Sequence, residues 1–235
     1  MIRFLSNKAK KVGAAIAFLS VEMMAILVLF IIALLAFAYL IRRVIVLHET
    51  GFDESVFSFI NQYVSNRNTD IMLLFTFLGT HRFLIPANLL LIAYFLFIKK
   101  HKWYSIKIPA IALSSLGLMF GLKHLFGRPR PDVPLIFKAD GLSFPSGHAM
   151  FSVTFYGLLV YLVYKTVQNK AAKWGLIIFL LVFVVTIGFT RVYLRVHYAS
   201  DVIAGFSVGF MWLVFALAVL NRMEHYSHKK VDASV

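Results

Sequence analysis

Residues 21–41 carry one charged side chain, Glu22, in a stretch that is otherwise apolar. A helix needs about 20 such residues to cross the roughly 30 Å hydrocarbon core of a bilayer. Runs of similar character recur at 83–98, 108–125, 149–164, 174–191 and 200–220, separated by polar or basic segments. Inside hydrocarbon every backbone N–H and C=O must be satisfied within the protein, so only helices or a closed barrel can span. These runs are continuously apolar rather than alternating, which selects helices. The expected fold is all-α, a polytopic membrane protein with a six-transmembrane-helix bundle. A share of 60% hydrophobic and only 14% charged residues in 235 excludes an ordinary soluble domain. The absence of cysteine excludes disulfides and thiolate metal sites.

The segments between the spans carry further information. Ala36-Phe37-Ala38 has the form of a signal-peptidase site. The apolar core before it is longer than a secretory signal and continues past it, so 21–41 reads as an uncleaved anchor. Within 42–70, Val56, Phe59, Ile60 and Tyr63 recur at helical spacing, flanked by Asp53, Glu54, Asn61 and Gln62. That pattern predicts a short amphipathic helix over 53–65 in the membrane interface, either a connector or a wall at the mouth of a lipid site. Residues 71–78 span about 12 Å as helix, too little to cross. Running them on into 83–98 would bury His81 and Arg82 in mid-membrane at a cost of a few kcal/mol. A half-helix and a turn at Gly79-Thr80 is expected instead, with His81 and Arg82 at the outer surface. The chain then forms a single domain over 1–235: an anchor and interfacial helix (1–70), a core (71–220) and a cytoplasmic tail (221–235).

The formal net charge of +14 raises the question of nucleic acid. Its distribution answers it, because the basic residues sit in short segments between apolar runs. Six crossings place both termini and the segments near 100 and 170 on one side, with 14 basic residues, and leave 10 on the other. The positive-inside rule makes the first side cytoplasmic. No nucleic-acid partner is expected. The sequence does not speak to oligomeric state.

Three clusters fall on the outer side. Lys123, His124, Arg128 and Arg130 close the third span; Pro145-Ser146-Gly147-His148 opens the fourth; Arg191, His197 and Asp201 bridge the fifth and sixth. Single cations snorkel at interfaces without further meaning. Lys123, Arg128, Arg130 and Arg191 together would repel one another unless an anion joined them, and charges beside membrane helices are functional by default. A helix starting near Ser146 adds unpaired N–H groups and the positive end of its dipole, a ready anion site. His197 and Asp201 are four apart and share a helical face, so the carboxylate can hold one imidazole nitrogen protonated and aim the other. A zinc site built from His124, His148 and His197 is a poor fit, with Asp201 the only nearby carboxylate at ligand-like spacing.

These residues resemble the three-part signature of the type 2 phosphatidic acid phosphatase superfamily: K-x6-R-P, P-S-G-H and S-R-x5-H-x3-D. Lys123 and Arg130-Pro131 fit the first block, whereas Arg128-Pro129 is out of register, with Gly121 where lysine would be required. The second block is complete. In the third, Thr190 replaces serine ahead of Arg191, His197 and Asp201. The resemblance implies an integral membrane lipid phosphatase acting through a phosphohistidine. His197 would be the nucleophile, Asp201 its partner and His148 the acid for the leaving group. Lys123, Arg130, Ser146, Gly147 and Arg191 would bind phosphate, and Arg128 is placed as a possible headgroup contact. It further implies no metal and no cofactor, and a lipid phosphate or diphosphate as substrate at the outer face of a bacterial inner membrane. Undecaprenyl diphosphate, phosphatidylglycerol phosphate and lipid A are the substrates it suggests. A lipid phosphotransferase with the same site, or a non-catalytic lipid-binding transporter or scaffold, are the alternatives.

Overall fold

A computed structural model describes residues 21–136 and 139–232. The basic residues Arg3, Lys8, Lys10 and Lys11, and Lys138, lie outside them. Helix α1 (Val21–Leu40) runs on as a π-helical turn, Ile41–Val46; α2 is Gly51–Asn61 and α3 is Asn66–Phe77. Then come α4 (His81–Ala93, extended by a π turn, Tyr94–Ile98), α5 (Lys102–Phe126), α6 (Gly147–Thr166), α7 (Lys170–Tyr193) and α8 (Ala199–Asp232). No strand occurs among the described residues, and six segments are long and apolar enough to cross a membrane: Val21–Val46, Asn66–Ile98, Lys102–Phe126, Gly147–Thr166, Lys170–Tyr193 and Ala199–Ser227.

The helix ends follow local chemistry. The Ser65 hydroxyl accepts the Asn68 N–H at 3.2 Å and starts α3, and the Asn169 side chain accepts the Ala172 N–H at 2.9 Å and starts α7. Helix α5 stops at Gly127, whose φ of 62° is left-handed and whose N–H returns to the Lys123 carbonyl. That reversal swings the Arg-Pro loop back over the end of the bundle.

Three boundaries differ from the sequence reading. Helix α3 begins at Asn66, so a division at residue 70 cuts through it; Ser65 caps a first turn whose polar residues carry no apolar period. Helix α5 begins at Lys102 and carries Lys107 into the bundle, 1% exposed, where its ammonium donates to Glu224 and Asn221 at 2.6 Å each. Lys107 is therefore not a loop cation. For the same reason α8 does not end at Leu220. It continues to Asp232, because Asn221 and Glu224 face inward to pair with Lys107.

Helix α6 is the axis of the bundle. Its Phe155 and Tyr156 pack with Leu84 of α4 and with Val184 and Ile187 of α7. Lower on the same helix, Leu158 and Leu162 meet Ile108 and Ile111 of α5 and Leu213 and Ala216 of α8. The α6–α8 crossing is close because Gly205 and Gly209 stand one turn apart on α8. A Cβ at Gly205 would sit 2.6 Å from the Ser146 carbonyl oxygen, and one at Gly209 2.8 Å from that of Met150. Small residues spaced by four are how membrane helices bring backbones together. Helix α1 lies along this pair, with Phe37 and Leu40 against Phe144 and Ala204. The short α2 sets Ile60 on Val192, Leu194 and Val196, with Val56 and Phe57 beside it. Phe59 and Tyr63 point outward, so the apolar stripe turned inward is narrower than the sequence pattern suggested.

The alternation of faces is visible in contacts between distant segments. Tyr164 donates to Glu22 at 2.5 Å at the end of the bundle where Lys107 meets Glu224. At the other end the Leu135 N–H reaches the Leu194 carbonyl and the Ser143 N–H that of Arg128. The three polar clusters share this second end.

Candidate active site

Two loops and two helix starts build the site. The loop 194–198 between α7 and α8 carries His197, which is 2% exposed, and the first turn of α8 carries Asp201, which is fully buried. The Asp201 Oδ2 accepts the Tyr198 N–H at 2.9 Å and the Ser143 hydroxyl proton. The His197 Nδ1 lies 3.4 Å from the same oxygen and 3.2 Å from Ser143 Oγ. Ser143 gives its proton to the carboxylate, so it takes the Nδ1–H of His197 on its oxygen. This fixes the tautomer with the lone pair on Nε2. That nitrogen accepts from Arg130 Nη1 at 3.2 Å. Burial pushes the His197 pKa down to about 3, against the opposing pull of Asp201, so the ring is neutral.

Arg130 and Lys123 lie close enough to act on this ring and Arg191 stands beside His148, and among the described residues none of the three forms an ion pair. Arg130 donates to the Gly141 and Val196 carbonyls at 3.1 and 2.8 Å, and burial lowers its pKa below the usual guanidinium range, with Asp201 and Asp140 opposing. Lys123 donates to the Leu142 and Ser143 carbonyls. Arg191, at the end of α7 and 5% exposed, donates to the Thr76 hydroxyl of α3 at 2.6 Å and leaves its Nε without a partner. His148, in the first turn of α6, has an enclosed Nε2 that also lacks a partner. The guanidinium groups of Arg191 and Arg130 act on its ring. Buried polar atoms without partners are rare in folded proteins.

Other predicted residues are arranged differently. Ser146 is fully buried and caps α6, its hydroxyl 3.5 Å from the Ala149 N–H, and its own N–H goes to the Asp201 carbonyl. Only its hydroxyl proton remains for a ligand. Gly147 stands at the first position of α6, where helical N–H groups have no internal acceptor. Arg128 needs a correction. It does not reach outward for a headgroup, being 9% exposed and held by Asp53 at 2.9 Å, Asp201 at 2.6 Å and Ser200 at 2.8 Å. The Tyr198 ring covers it at 3.9 Å. His124 is exposed and bonded to the Phe120 carbonyl, away from the cluster. Among the described residues no three His, Asp or Glu side chains converge as a metal-binding group. Thr190 turns its hydroxyl onto the Ile187 carbonyl at 2.6 Å.

Ser143, Thr76, Asp53 and Ser200 were not singled out from the sequence as site residues. Thr76 and Asp53 come from segments far from the signature, and nothing in their local sequence distinguishes them. His81, exposed, begins α4 just after Gly79, whose backbone packs on the His148 ring: a Cβ there would lie 3.3 Å from His148 Cδ2. A mostly apolar cavity of about 440 Å³ starts at His81 and runs between α4, α5 and α6, lined by Leu84, Asn88, Ile111, Phe155 and Leu158 among others.

A six-span bundle that gathers two histidines and three cations without ion-pair partners among the described residues at one end defines a polytopic membrane protein with a polar site at that end. The PAP2 superfamily matches residues 104–224, half of the chain, and the chain belongs to that superfamily. It is 27% identical over 161 residues to phosphatidylglycerophosphatase B of Bacillus subtilis, covering 68% of this chain and 79% of that protein. A lipid A 4'-phosphatase of Bacteroides thetaiotaomicron is 34% identical over 110 residues, 41% of this chain and 45% of that one. The crystal structure of a transmembrane PAP2 type phosphatidylglycerolphosphate phosphatase from Bacillus subtilis superimposes with a TM-score of 0.72 at 26% identity, covering 84% of this chain and 96% of that one. The chain is a membrane phosphatase of this superfamily.

Proposed function

We propose that this protein removes a phosphate from a membrane lipid through a phosphohistidine on His197. The observation that carries the reading is the His197 ring. Its Nδ1–H is held by Ser143 and Asp201, and its Nε2 lone pair faces Arg130, with Lys123 near the same ring and Arg191 beside His148. A lipid phosphate entering the site replaces the neutral carbonyls as the cations' partner and meets the lone pair in line. Charge on the equatorial oxygens is neutralised by Lys123, Arg130 and Arg191, with the Ser146 hydroxyl and the Gly147 N–H completing the cradle. His148 protonates the departing lipid oxygen and then takes a proton from the water that attacks the phosphohistidine. No divalent ion is assigned, because the site supplies its own positive charge.

The apolar cavity beginning at His81 suits an acyl or prenyl chain while the phosphate sits beside His148. Likeness to the Bacillus subtilis phosphatidylglycerophosphatase supports testing phosphatidylglycerol phosphate first, followed by undecaprenyl diphosphate and lipid A. The site faces the outer side of a bacterial inner membrane and both termini are cytoplasmic. The test is a panel of these three lipids with purified protein in detergent and excess chelator, measuring inorganic phosphate and acid-labile phosphate on the protein. Release of phosphate with a trapped, acid-labile phosphoprotein supports the reading. Turnover that disappears in chelator and returns with a divalent ion would sink it, and transfer of the phosphoryl group to a second lipid would make the protein a phosphotransferase.

A further inference from the structure

Arg128 lies outside the signature register, and Asp53 lies 75 residues away from it in the interfacial helix, yet the two meet below the nucleophile. We infer that Asp53 and Arg128 are a positioning pair that sets the carboxylate of Asp201 and, through it, the His197 ring. The inference rests on the phosphatase reading.

The geometry divides the Asp201 carboxylate into two halves. Oδ2 serves the catalytic ring through Ser143, the Tyr198 N–H and Nδ1 of His197. Oδ1 is held from the other side by Arg128 Nη1 at 2.6 Å, and this fixes the rotation of the carboxylate. Arg128 alone would neutralise Asp201 and weaken its hold on the imidazole proton. Asp53, 2% exposed, lies 2.9 Å from Arg128 Nη2 and restores a net charge of minus one to the three-residue group. Asp53 also accepts the Ser200 N–H at 2.9 Å and the Ser200 hydroxyl at 2.6 Å, which places its negative charge at the N-terminus of α8. Two further contacts tie α2 to the same loop: Phe57 against the Tyr198 ring, centroids 5.7 Å apart, and Asn61 to Arg195 at 2.9 Å. Arg195 has a φ of 52°, a left-handed backbone two residues before His197, and the bond to Asn61 holds that turn. Helix α2 is thus a brace for the nucleophile loop, and the buried Asp53–Arg128 pair is where the brace bears on the chemistry.

The experiment uses the full chain in detergent, with Asp53→Asn, Arg128→Gln and the double variant, on phosphatidylglycerol phosphate and p-nitrophenyl phosphate. Asparagine keeps the shape of Asp53 and its acceptor toward the Ser200 N–H, so it removes charge while leaving the cap. Each single variant is expected to lower kcat about 10–100-fold, by analogy with the hydrogen-bond partners that orient metal-ligating imidazoles. KM should change by less than about threefold, since neither residue touches substrate. The double variant should be no worse than the poorer single one, because both act through one carboxylate. Thermal unfolding in detergent and vanadate binding separate positioning from folding: both should stay near wild type while the rate of phosphoprotein formation falls. Vanadate binding or an unfolding midpoint that falls in step with kcat, losses that multiply in the double variant, or a raised KM with unchanged kcat would each overturn the inference. Absence of turnover by the wild type on every lipid phosphate would instead sink the phosphatase reading.

Discussion

Replacing Asp201 by asparagine asks whether the carboxylate sets the tautomer of His197. In the wild type Arg128 occupies one oxygen at 2.6 Å, and the Tyr198 N–H, the Ser143 hydroxyl and the imidazole share the other. An amide accepts on one side only. With its oxygen toward Arg128, its NH2 faces the Tyr198 N–H and the imidazole Nδ1–H, and His197 is relieved only by moving its proton to Nε2. That removes the lone pair intended for phosphorus. With the amide reversed, NH2 faces the Arg128 guanidinium inside the protein. Either way one hydrogen bond to a charged group is lost, about 1.5–3 kcal/mol, from a buried site. Adding the penalty for the wrong tautomer gives about 3–5 kcal/mol, or a rate lowered about 10²–10⁴-fold at 1.36 kcal/mol per decade. The assay is rapid-quench formation of acid-labile phosphoprotein from phosphatidylglycerol phosphate, which isolates attack by His197 from later hydrolysis. Binding of vanadate should weaken far less, since Lys123, Arg130 and Arg191 remain. Phosphoprotein formation within tenfold of the wild-type rate would refute the role given to Asp201.

His148→Ala should retain more phosphoryl transfer from p-nitrophenyl phosphate than from a phospholipid in the first turnover, because general acid catalysis contributes about 10²–10⁴-fold chiefly where the leaving oxygen is basic. Equal losses on both substrates would mean that His148 is not the acid. The ring of His197, with its pKa pushed down to about 3, should give 15N shifts that do not titrate between about pH 5 and 8 in the unliganded protein. Because its folded-state pKa lies below the unfolded value, His197 favours folding fully above about pH 6.5 and progressively less as the pH falls toward its folded value. Gly205→Ala places a methyl 2.6 Å from the Ser146 carbonyl, so it should destabilise by about 1–3 kcal/mol and lower kcat by displacing the first turn of α6. Thermal unfolding in detergent and turnover check it, and an unchanged midpoint would show that the helices part without cost. A cysteine at Asp140 should react with an impermeant thiol reagent in intact cells and one at Gln168 should not; the reverse labelling would invert the topology.

Much of the site was legible because helical spacing is local information. Ser146 starts a helix after Pro145, and Lys123 and Arg130 flank the Gly127 turn; His197 lies in the loop just ahead of α8 rather than on its face, and the short stretch to Asp201 still brings Nδ1 within 3.4 Å of Oδ2. The six spans were legible for a different reason: the energy of an apolar run in hydrocarbon depends on its own composition and hardly on its neighbours. Contacts between remote segments follow neither rule. Lys107 looked like a loop cation until Glu224, 117 residues away, drew it into the bundle. From the sequence Arg128 is free to meet substrate and Asp53 belongs to the wet side of an amphipathic helix, whereas in the fold Asp53 and Asp201 enclose Arg128. The helical period places Asp53 beside polar neighbours, yet the docking of α2 turns it onto Ser200, 147 residues away. Spacing within a helix and transfer into hydrocarbon are written along the chain. The partner of a buried charge is decided only when separate helices pack, because removing two ions from water is affordable only where the fold brings them together.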